Sequence, residues 1–294
     1  MNPPKRSLDG APGSIYSQVM MFQALLDRGF QCRFESHAGA ILDRDFPDAA
    51  MEISAVLQGV DVPITEIIGS GGGETKGTQR MRKGFADALW RKKNYEIRKI
   101  INGVERESIS HEVDHVKTFP NGELALEIEW NNKDPFFDRD LENFKRLHNE
   151  GAISLGIIVT RGETLHERMS EFVQRFAEEQ GIWSFGDLER LNIFPTLTQK
   201  RQIEKWISRR RDALPFPDSW RKKFVADKYS SSTTHWRKLM DRVQRGVGNP
   251  CPLLLVGLPD SIVSFPEQSA STVAAAIERA SIENAETPAD IEPS

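Results

Sequence analysis

Apolar residues follow two kinds of pattern along the chain, and one kind predicts helices while the other predicts strands. Spacings of three and four residues predict helices at 14–29, 47–58, 76–93, 136–149, 164–180, 198–211, 233–245 and 270–280. Strand-like runs occupy 112–119, 123–130, 153–160 and 252–258. The last two runs are apolar without alternation, which is typical of central strands covered on both faces. The pattern predicts an α/β fold, in which helices flank a mixed β-sheet and residues 164–225 form a helical insertion.

Both ends of the chain have compositions that favour disorder. Residues 1–12 and 281–294 are rich in Pro, Ala, Ser and acidic residues and offer little to bury. The stretch 13–280 is long enough for a single domain with a sizeable core. No run approaches the roughly 18 apolar residues of a membrane span, and the first residues lack the apolar stretch of a signal peptide. We therefore expect a cytoplasmic protein without membrane contact, in which Cys32 and Cys251 are buried and unpaired.

The distribution of charge changes the picture that the net charge gives. A formal net charge of −4 argues weakly against binding to nucleic acid. The segment 260–294, however, has seven acidic residues and one arginine, whereas 76–106 has ten basic and three acidic residues. The segment 200–223 has nine basic and three acidic residues. The two basic segments indicate either a polyanion-binding surface or two solvated helix faces, and charge alone does not separate these alternatives.

The stretch HEVDHVKTFPNGELALEIEW, residues 111–130, predicts a β-hairpin. The pair Asn121-Gly122 is a strong signal for a two-residue turn, because both residues tolerate positive φ. A turn at this pair places Glu123 opposite Pro120, and counting outward places Glu129 opposite Asp114. The sequence therefore predicts that an acid of the first strand lies beside acids of the second.

Alternation of side chains puts Glu127 and Glu129 on one face of the second strand, next to Asp114. Like charges at such positions are destabilising unless something neutralises them. A divalent cation would do so, and carboxylate oxygens at this spacing suit Mg²⁺. The alternative is an exposed face whose acids pair with Lys117 or Lys133 or lie in water.

The hairpin and four other segments resemble, in the same order, the BglII and BstYI group of type II restriction endonucleases. The similar segments are 34–61, 71–90, 111–137, 151–162 and 229–260. The common pattern of this superfamily is an Asp followed by Glu-x-Lys, and here Glu129 stands where the Lys usually is. The resemblance implies a restriction-endonuclease-like core in which Asp114 and Glu127 hold Mg²⁺. It also implies that Glu129 orients or deprotonates the attacking water, or acts as a further metal ligand.

Three polar segments are candidate DNA-binding residues, each with a plainer alternative. The loop Asn131, Asn132 and Lys133 faces the major groove in the resembling group, but it is equally a polar turn before a helix. The segment GSGGGETKGT, 69–78, lacks the spacing of a nucleotide-binding loop, so no nucleotide cofactor is expected. It can still bring positive and hydroxyl groups to a phosphate, or be a flexible loop. The third segment, SSSTTHW at 230–236, can contact DNA or cap a helix. The candidates in the last two segments are Lys76, Thr78, Arg80, Ser232, Thr233, Thr234 and His235.

These features lead to one hypothesis and two rivals. The hypothesis is a homodimeric, Mg²⁺-dependent type II restriction endonuclease that cuts double-stranded DNA at a short palindrome, possibly one with a GATC core, and leaves 5′-phosphates. The first rival is a repair or structure-specific nuclease with the same metal core. The second rival is a DNA-binding protein that has lost catalysis, although all three acids are present.

Overall fold

The computed structural model describes residues 21–69, 75–265 and 270–286, so the predicted disorder of 1–12 lies outside the described residues. The described strands are β1 Gln31–Glu35, β2 Val62–Pro63, β3 Arg91–Ile101, β4 Val104–Phe119, β5 Gly122–Glu129, β6 Leu155–Arg161, β7 Leu253–Leu258 and β8 Val263–Ser264. The first seven described helices are α1 Gln23–Asp27, α2 Ala38–Asp45, α3 Pro47–Gln58, α4 Ile64–Gly69, α5 Lys76–Asp87, α6 Phe136–Asn149 and α7 Glu163–Glu179. The remaining described helices are α8 Phe185–Arg190, α9 Leu197–Ile207, α10 Phe216–Lys228, α11 Trp236–Gln244 and α12 Ala270–Glu286.

Six of these strands form a mixed sheet in the order β1-β7-β6-β5-β4-β3, and β2 pairs with β8 in a separate sheet. Strands β5, β6 and β7 are parallel to one another, whereas β1, β4 and β3 pair in the antiparallel sense. Every residue of β6 and β7 is buried, as the unbroken apolar runs predict. The predicted α/β fold with a mixed sheet flanked by helices is confirmed.

Each face of the sheet packs against its own apolar cluster. Leu124, Leu126 and Ile128 of β5 point into the larger cluster, which also takes in the insertion through residues such as Met169 and Trp220. The second cluster lies on the opposite face, and helices α6 and α11 cover it. The ring of Phe144 on α6 lies so close to Gly156 on β6 that a Cβ there would come within 2.4 Å of it. This close contact seats α6 on the face of β5 that carries Glu127 and Glu129.

The register of the β4–β5 hairpin differs from the prediction. Phe119 pairs with Gly122, so the turn residues are Pro120 and Asn121, and Glu123 pairs with Thr118 rather than with Pro120. Proline favours the first turn position because its φ is already close to −65°. Gly122 follows with φ of 142°, which a glycine adopts without strain.

The corrected register changes which acids are neighbours across the hairpin. The last named pair is His115 with Leu126, and one further step places Asp114 beside Glu127 rather than opposite Glu129. A shift of two residues leaves the faces unchanged, so the prediction that Glu127 and Glu129 share a face is unaffected.

Other boundaries were wrong where tertiary structure overrides local pattern. The helix predicted at 76–93 ends at Asp87, and the chain turns through Leu89, at φ of 68°, into β3, which was not predicted. The tail predicted as disordered from 281 is helical to Glu286, and the Ser281 hydroxyl donates to the Gly69 carbonyl at 2.9 Å. Cys32 and Cys251 are both free. In the described ranges, none of the helices combines the length and apolar character that crossing a bilayer requires.

Candidate active site at the carboxyl ends of the parallel strands

Asp114 lies next to a β-bulge, and the β4–β5 register brings it beside the acids of β5. The register between β3 and β4 shifts between Arg91 and Lys93, so Asp114 and His115 together lie opposite one residue of β3. Bulges of this kind redirect side chains and are common next to active sites. The Asp114 backbone N–H points at Glu127 Oε1, with N and O 3.4 Å apart. This hydrogen bond joins the first acid of the predicted group to the second.

A fourth acid, Asp140 on α6, completes a buried acidic group that we define as Asp114, Glu127, Glu129 and Asp140. Glu127, Glu129 and Asp140 are 7%, 3% and 2% exposed. Asp140 Oδ1 accepts a hydrogen bond from Arg139 Nε at 2.9 Å, and within the described residues Oδ2 has no hydrogen-bond partner. The sequence analysis missed Asp140, because only the docking of α6 brings it to β5.

Burial and mutual repulsion make these acids hard to ionise. Burial, then the charges of Asp140 and Asp114, raises the pKa of Glu127 well above its ordinary value. Burial and Asp140 likewise raise the pKa of Glu129 well above its ordinary value, and burial raises the pKa of Asp140. A cation bound at the acidic group would stabilise the ionised forms of all these carboxylates.

The donor set fits a hard divalent cation that keeps part of its water shell. Only oxygen ligands are offered. The nearest cations are Arg139, which lies 2.9 Å from Asp140 Oδ1 and 3.9 Å from Glu129 Oε1, and Lys92, which lies 3.9 Å from Asp114 Oδ1. No set of three or more acidic, His or Cys side chains in the described ranges is arranged as a ready metal cage. Mg²⁺ commonly takes only one or two carboxylates and completes its shell with water and phosphate oxygens. Asp114 and Glu127 are the adjoining pair that would hold it.

The loop after β5 turns back onto the acids and onto the hydroxyl-rich segment. Asn132 Nδ2 donates to Glu129 Oε2 at 2.9 Å. Asn131 Nδ2 donates to the Lys228 carbonyl at 2.8 Å. Lys133 is exposed and forms an isolated β-bridge with Thr233. Of the three predicted base-reading residues, Asn132 and Lys133 are exposed and Asn131 is half-buried.

Part of the hydroxyl-rich segment Ser230–His235 is buried, although its residues were predicted to contact DNA. Ser232 is exposed, but Thr234 and His235 are only 0% and 4% exposed, so their side chains lie in the interior rather than on a DNA-facing surface. Thr234 Oγ1 accepts from the Asn132 N–H at 3.1 Å, and the Thr234 N–H donates to the Asn132 carbonyl at 2.8 Å. This segment and the β5 exit loop therefore form one unit.

Arg161, at the end of β6, joins the β5 exit loop to the hydroxyl-rich segment from the interior of the protein. Its side chain is fully buried. Arg161 Nε donates to the Trp130 carbonyl at 2.7 Å, and Nη2 donates to Thr233 Oγ1 at 2.7 Å and to the Thr234 carbonyl at 2.8 Å. Burial lowers its pKa to about 10. This role was not predicted, because locally Arg161 is only a basic residue at the end of an apolar strand.

Two histidines stack beside Arg161. The rings of His166 and His235 are parallel within 3°, with centroids 3.8 Å apart. Burial, then the charge of Arg161, lowers the pKa of each ring to about 4. Both rings are therefore neutral at physiological pH, which suits a stacked pair next to a buried cation.

Residues predicted at the start of α5 are engaged in local structure. Thr78 is buried, and its hydroxyl lies 2.9 Å from that of Thr75, the residue that caps the helix. Arg80 makes two hydrogen bonds to Glu66, at 2.7 and 2.9 Å. Lys76 is half-buried. Residues 70–74, in the glycine-rich segment that leads into α5, lie outside the described residues.

Comparison with known proteins identifies the family. The model of the family described as restriction endonuclease BglII/BglIII matches residues 30–258. A search of the curated proteins found no match. The matched range runs from the start of β1 to the end of β7 and contains the whole acidic group and the helical insertion. The chain therefore belongs to the BglII/BglIII family of restriction endonucleases.

Proposed function

We propose that this chain is a Mg²⁺-dependent type II restriction endonuclease that hydrolyses both strands of double-stranded DNA at a short palindromic site. The observation that carries the proposal is the buried acidic group at the carboxyl ends of the parallel strands, in a chain of this family. Four acids with so little compensating charge are costly to maintain unless a cation binds there. We also expect the protein to act in the cytoplasm, where its DNA substrate is accessible.

Asp114 and Glu127 are the proposed metal ligands, because the β4–β5 register sets them side by side and the Asp114 N–H bonds the Glu127 carboxyl group. Mg²⁺, when bound, polarises a phosphoryl oxygen and lowers the pKa of a coordinated water. Glu129 is the proposed acceptor of the proton from the attacking water, because it lies on the same face of β5 as the proposed ligand Glu127. An additional role of Glu129 as a metal ligand is the alternative that remains open.

The proposed reaction is hydrolysis of a phosphodiester bond. The water oxygen attacks phosphorus in line with the leaving 3′ oxygen, and the bond from phosphorus to that oxygen breaks. The proton lost by the water passes to Glu129, and the 3′ oxygen takes a proton as it leaves. The products are a 5′-phosphate and a 3′-hydroxyl.

DNA would lie across the β5 exit loop and the hydroxyl-rich segment. Lys133 and Ser232 are exposed there, and the Asp134 N–H donates to the Ser232 carbonyl at 3.0 Å, which holds the two loops next to each other. We retain Asn131 and Lys76 as candidate DNA contacts. A palindromic site is matched by a two-fold dimer, and α6 and α11 are candidate interface helices. A GATC core in the site is part of the proposal.

Digestion of a plasmid of known sequence separates this function from its rivals. A restriction endonuclease gives discrete fragments in the presence of Mg²⁺. A structure-specific or non-specific nuclease gives no fragments from intact duplex, or a smear. A DNA-binding protein without catalysis retards the plasmid on a gel and leaves it uncut. The discrete pattern is the result that we expect.

A further inference from the structure

The side chain of Asn132 points at a buried acid, although the residue itself is exposed. Its Nδ2 lies 2.9 Å from Glu129 Oε2, whereas the nearest guanidinium nitrogen, Nη2 of Arg139, lies 3.9 Å from Oε1. A donor and acceptor 2.9 Å apart form a hydrogen bond of ordinary length, which ties the Glu129 carboxyl group to the loop. The Asn132 amide therefore restrains the orientation of the Glu129 carboxylate.

The backbone of Asn132 is held from the other side by Thr234. Two hydrogen bonds join these residues, from the Asn132 N–H to Thr234 Oγ1 and from the Thr234 N–H to the Asn132 carbonyl. Thr234 is fully buried, and Arg161 bonds both its carbonyl and that of Trp130. The position of the Asn132 amide is thus set by the hydroxyl-rich segment Ser230–His235.

We propose that Asn132 is a positioning residue for Glu129, and that the hydroxyl-rich segment acts on the catalytic carboxylate through it. This inference rests on the proposed function. An asparagine reads adenine through both of its polar side-chain atoms. An amide whose Nδ2 is donated to Glu129 cannot make that two-bond contact at the same time. DNA that contacts the exposed Ser232 would instead affect the position of the Glu129 carboxylate through Thr234 and Asn132. DNA binding at the surface would in this way be linked to the chemical step.

The test compares the chemical step with DNA binding. Single-turnover cleavage is measured at saturating DNA and Mg²⁺, and the Kd for the same duplex is measured without divalent cation. Asn132→Ala should slow cleavage by roughly 10–100-fold, since small misplacements of a reacting group cost about that much, and should change Kd less than about 3-fold. Asn94→Ala is the matched control, because Asn94 is an exposed asparagine on β3 whose side chain bonds only Ser110 among the described contacts. It should match the wild type in both measurements.

A double-mutant cycle separates positioning from a general structural effect. In a Glu129→Ala background the acceptor of this hydrogen bond is gone, so adding Asn132→Ala should slow the residual cleavage less than about 3-fold. Equal losses in both backgrounds would overturn the inference. So would an Asn132→Ala protein with at least 10-fold weaker binding and an unchanged single-turnover rate, because that result assigns Asn132 to base reading.

A second variant distinguishes loss of the hydrogen bond to Glu129 from loss of folded protein. Asn132→Asp keeps the size of the side chain but sets an acceptor against Glu129, so its loss of rate should be at least that of Asn132→Ala, with an unchanged circular dichroism spectrum. Wild-type rates in Asn132→Asp would overturn the inference while leaving the proposed function intact. A wild-type protein that cuts no DNA under any of these conditions would overturn the proposed function itself, and this inference with it.

Discussion

Asp140 shows what a single buried acid changes at the active site. It lies against Glu129, and the two carboxyl groups share a hydrogen bond only when one of them is protonated. Asp114, Glu127 and Glu129 were predictable because one hairpin brings them together within sixteen residues of sequence. Asp140 was not, because its approach depends on how α6 packs on the sheet, and Gly156 and Phe144 decide that packing.

Replacing either proposed metal ligand should abolish cleavage. Asp114→Asn and Glu127→Gln each remove a negative oxygen ligand and keep the shape of the side chain. DNA binding should be retained or tighten, because carboxylates repel phosphates. Cleavage and gel-shift assays on one duplex measure both effects, and wild-type turnover in either variant would refute the metal-site assignment.

Removing a charge from the acidic group should stabilise the protein when no metal is present. The folded-state pKa of Glu127 lies above its unfolded value, so its favourable contribution is present below about pH 4.5 and is lost as the pH rises through the folded pKa. At pH 8 the unfolded chain carries Glu127 as an anion, which folding must either protonate or bury, and Glu127→Gln removes that cost. We expect a gain on the order of 1 kcal/mol, seen as a Tm about 2–4 °C higher.

Thermal melts in EDTA at pH 8 and pH 4 measure this effect. The Tm difference between Glu127→Gln and wild type should shrink at pH 4, and Mg²⁺ should raise the Tm of the wild type more than that of the variant. A variant that melts below the wild type at pH 8 would contradict the assignment of strain to the acidic group.

The role of Glu129 can be separated by a Mg²⁺ titration. As a base, Glu129→Gln should lower the single-turnover rate at saturating Mg²⁺ by about 10²–10⁴-fold without a large change in the Mg²⁺ concentration required. As a ligand, the same change should raise the Mg²⁺ requirement, and excess metal should restore much of the rate. A Glu129→Gln enzyme equal to wild type at every Mg²⁺ concentration would reject both roles.

At the scale of elements, local pattern predicted eight of the twelve described helices, in whole or in part, but only four of the eight described strands, and it failed where exposure or a turn decided the outcome. The helices α3 and α6 begin and end where the apolar spacing predicts. Strand β3 was missed because only Tyr95 among its residues is buried, so RKKNYEIRKII carries no apolar alternation. The hairpin register was wrong by two residues because the proline, and not Asn121-Gly122 alone, sets the turn.

The stacked histidines join α7 to the start of α11, and they should make stability depend on acid pH. Both folded-state pKa values are about 4, below the unfolded value of about 6.5, so the unfolded chain takes up protons first as the pH falls. Stability should therefore fall between about pH 6.5 and pH 4 and level off below. His235→Phe keeps an aromatic ring in the stack and should reduce this slope by up to one proton.

Urea unfolding at half-unit steps of pH measures the slope, with His37→Phe as the control because His37 lies at the start of α2, away from the stack. An unchanged slope in His235→Phe would show that His235 does not titrate on unfolding.

At the scale of the whole molecule, the sequence predicted the class of fold but not the order of strands. The apolar runs indicated that β6 and β7 are central, yet nothing local revealed that β1 lies beside β7 at an edge. That arrangement matters, because β5, β6 and β7 end at one edge of the sheet and deliver Glu129, Arg161 and the following loops to the same place. The account of function depends on this convergence more than on any single motif.

Mapping the cut ends on a defined DNA tests the central claim most directly. Wild-type protein and Asp114→Asn are incubated with the same plasmid and Mg²⁺, and the fragment ends are sequenced. The account predicts that wild-type ends fall at one short palindromic sequence, with 5′-phosphates on both strands, and that Asp114→Asn gives none. Ends scattered over many sequences, or no ends from folded wild-type protein with Mg²⁺ and a plasmid rich in palindromes, would contradict it.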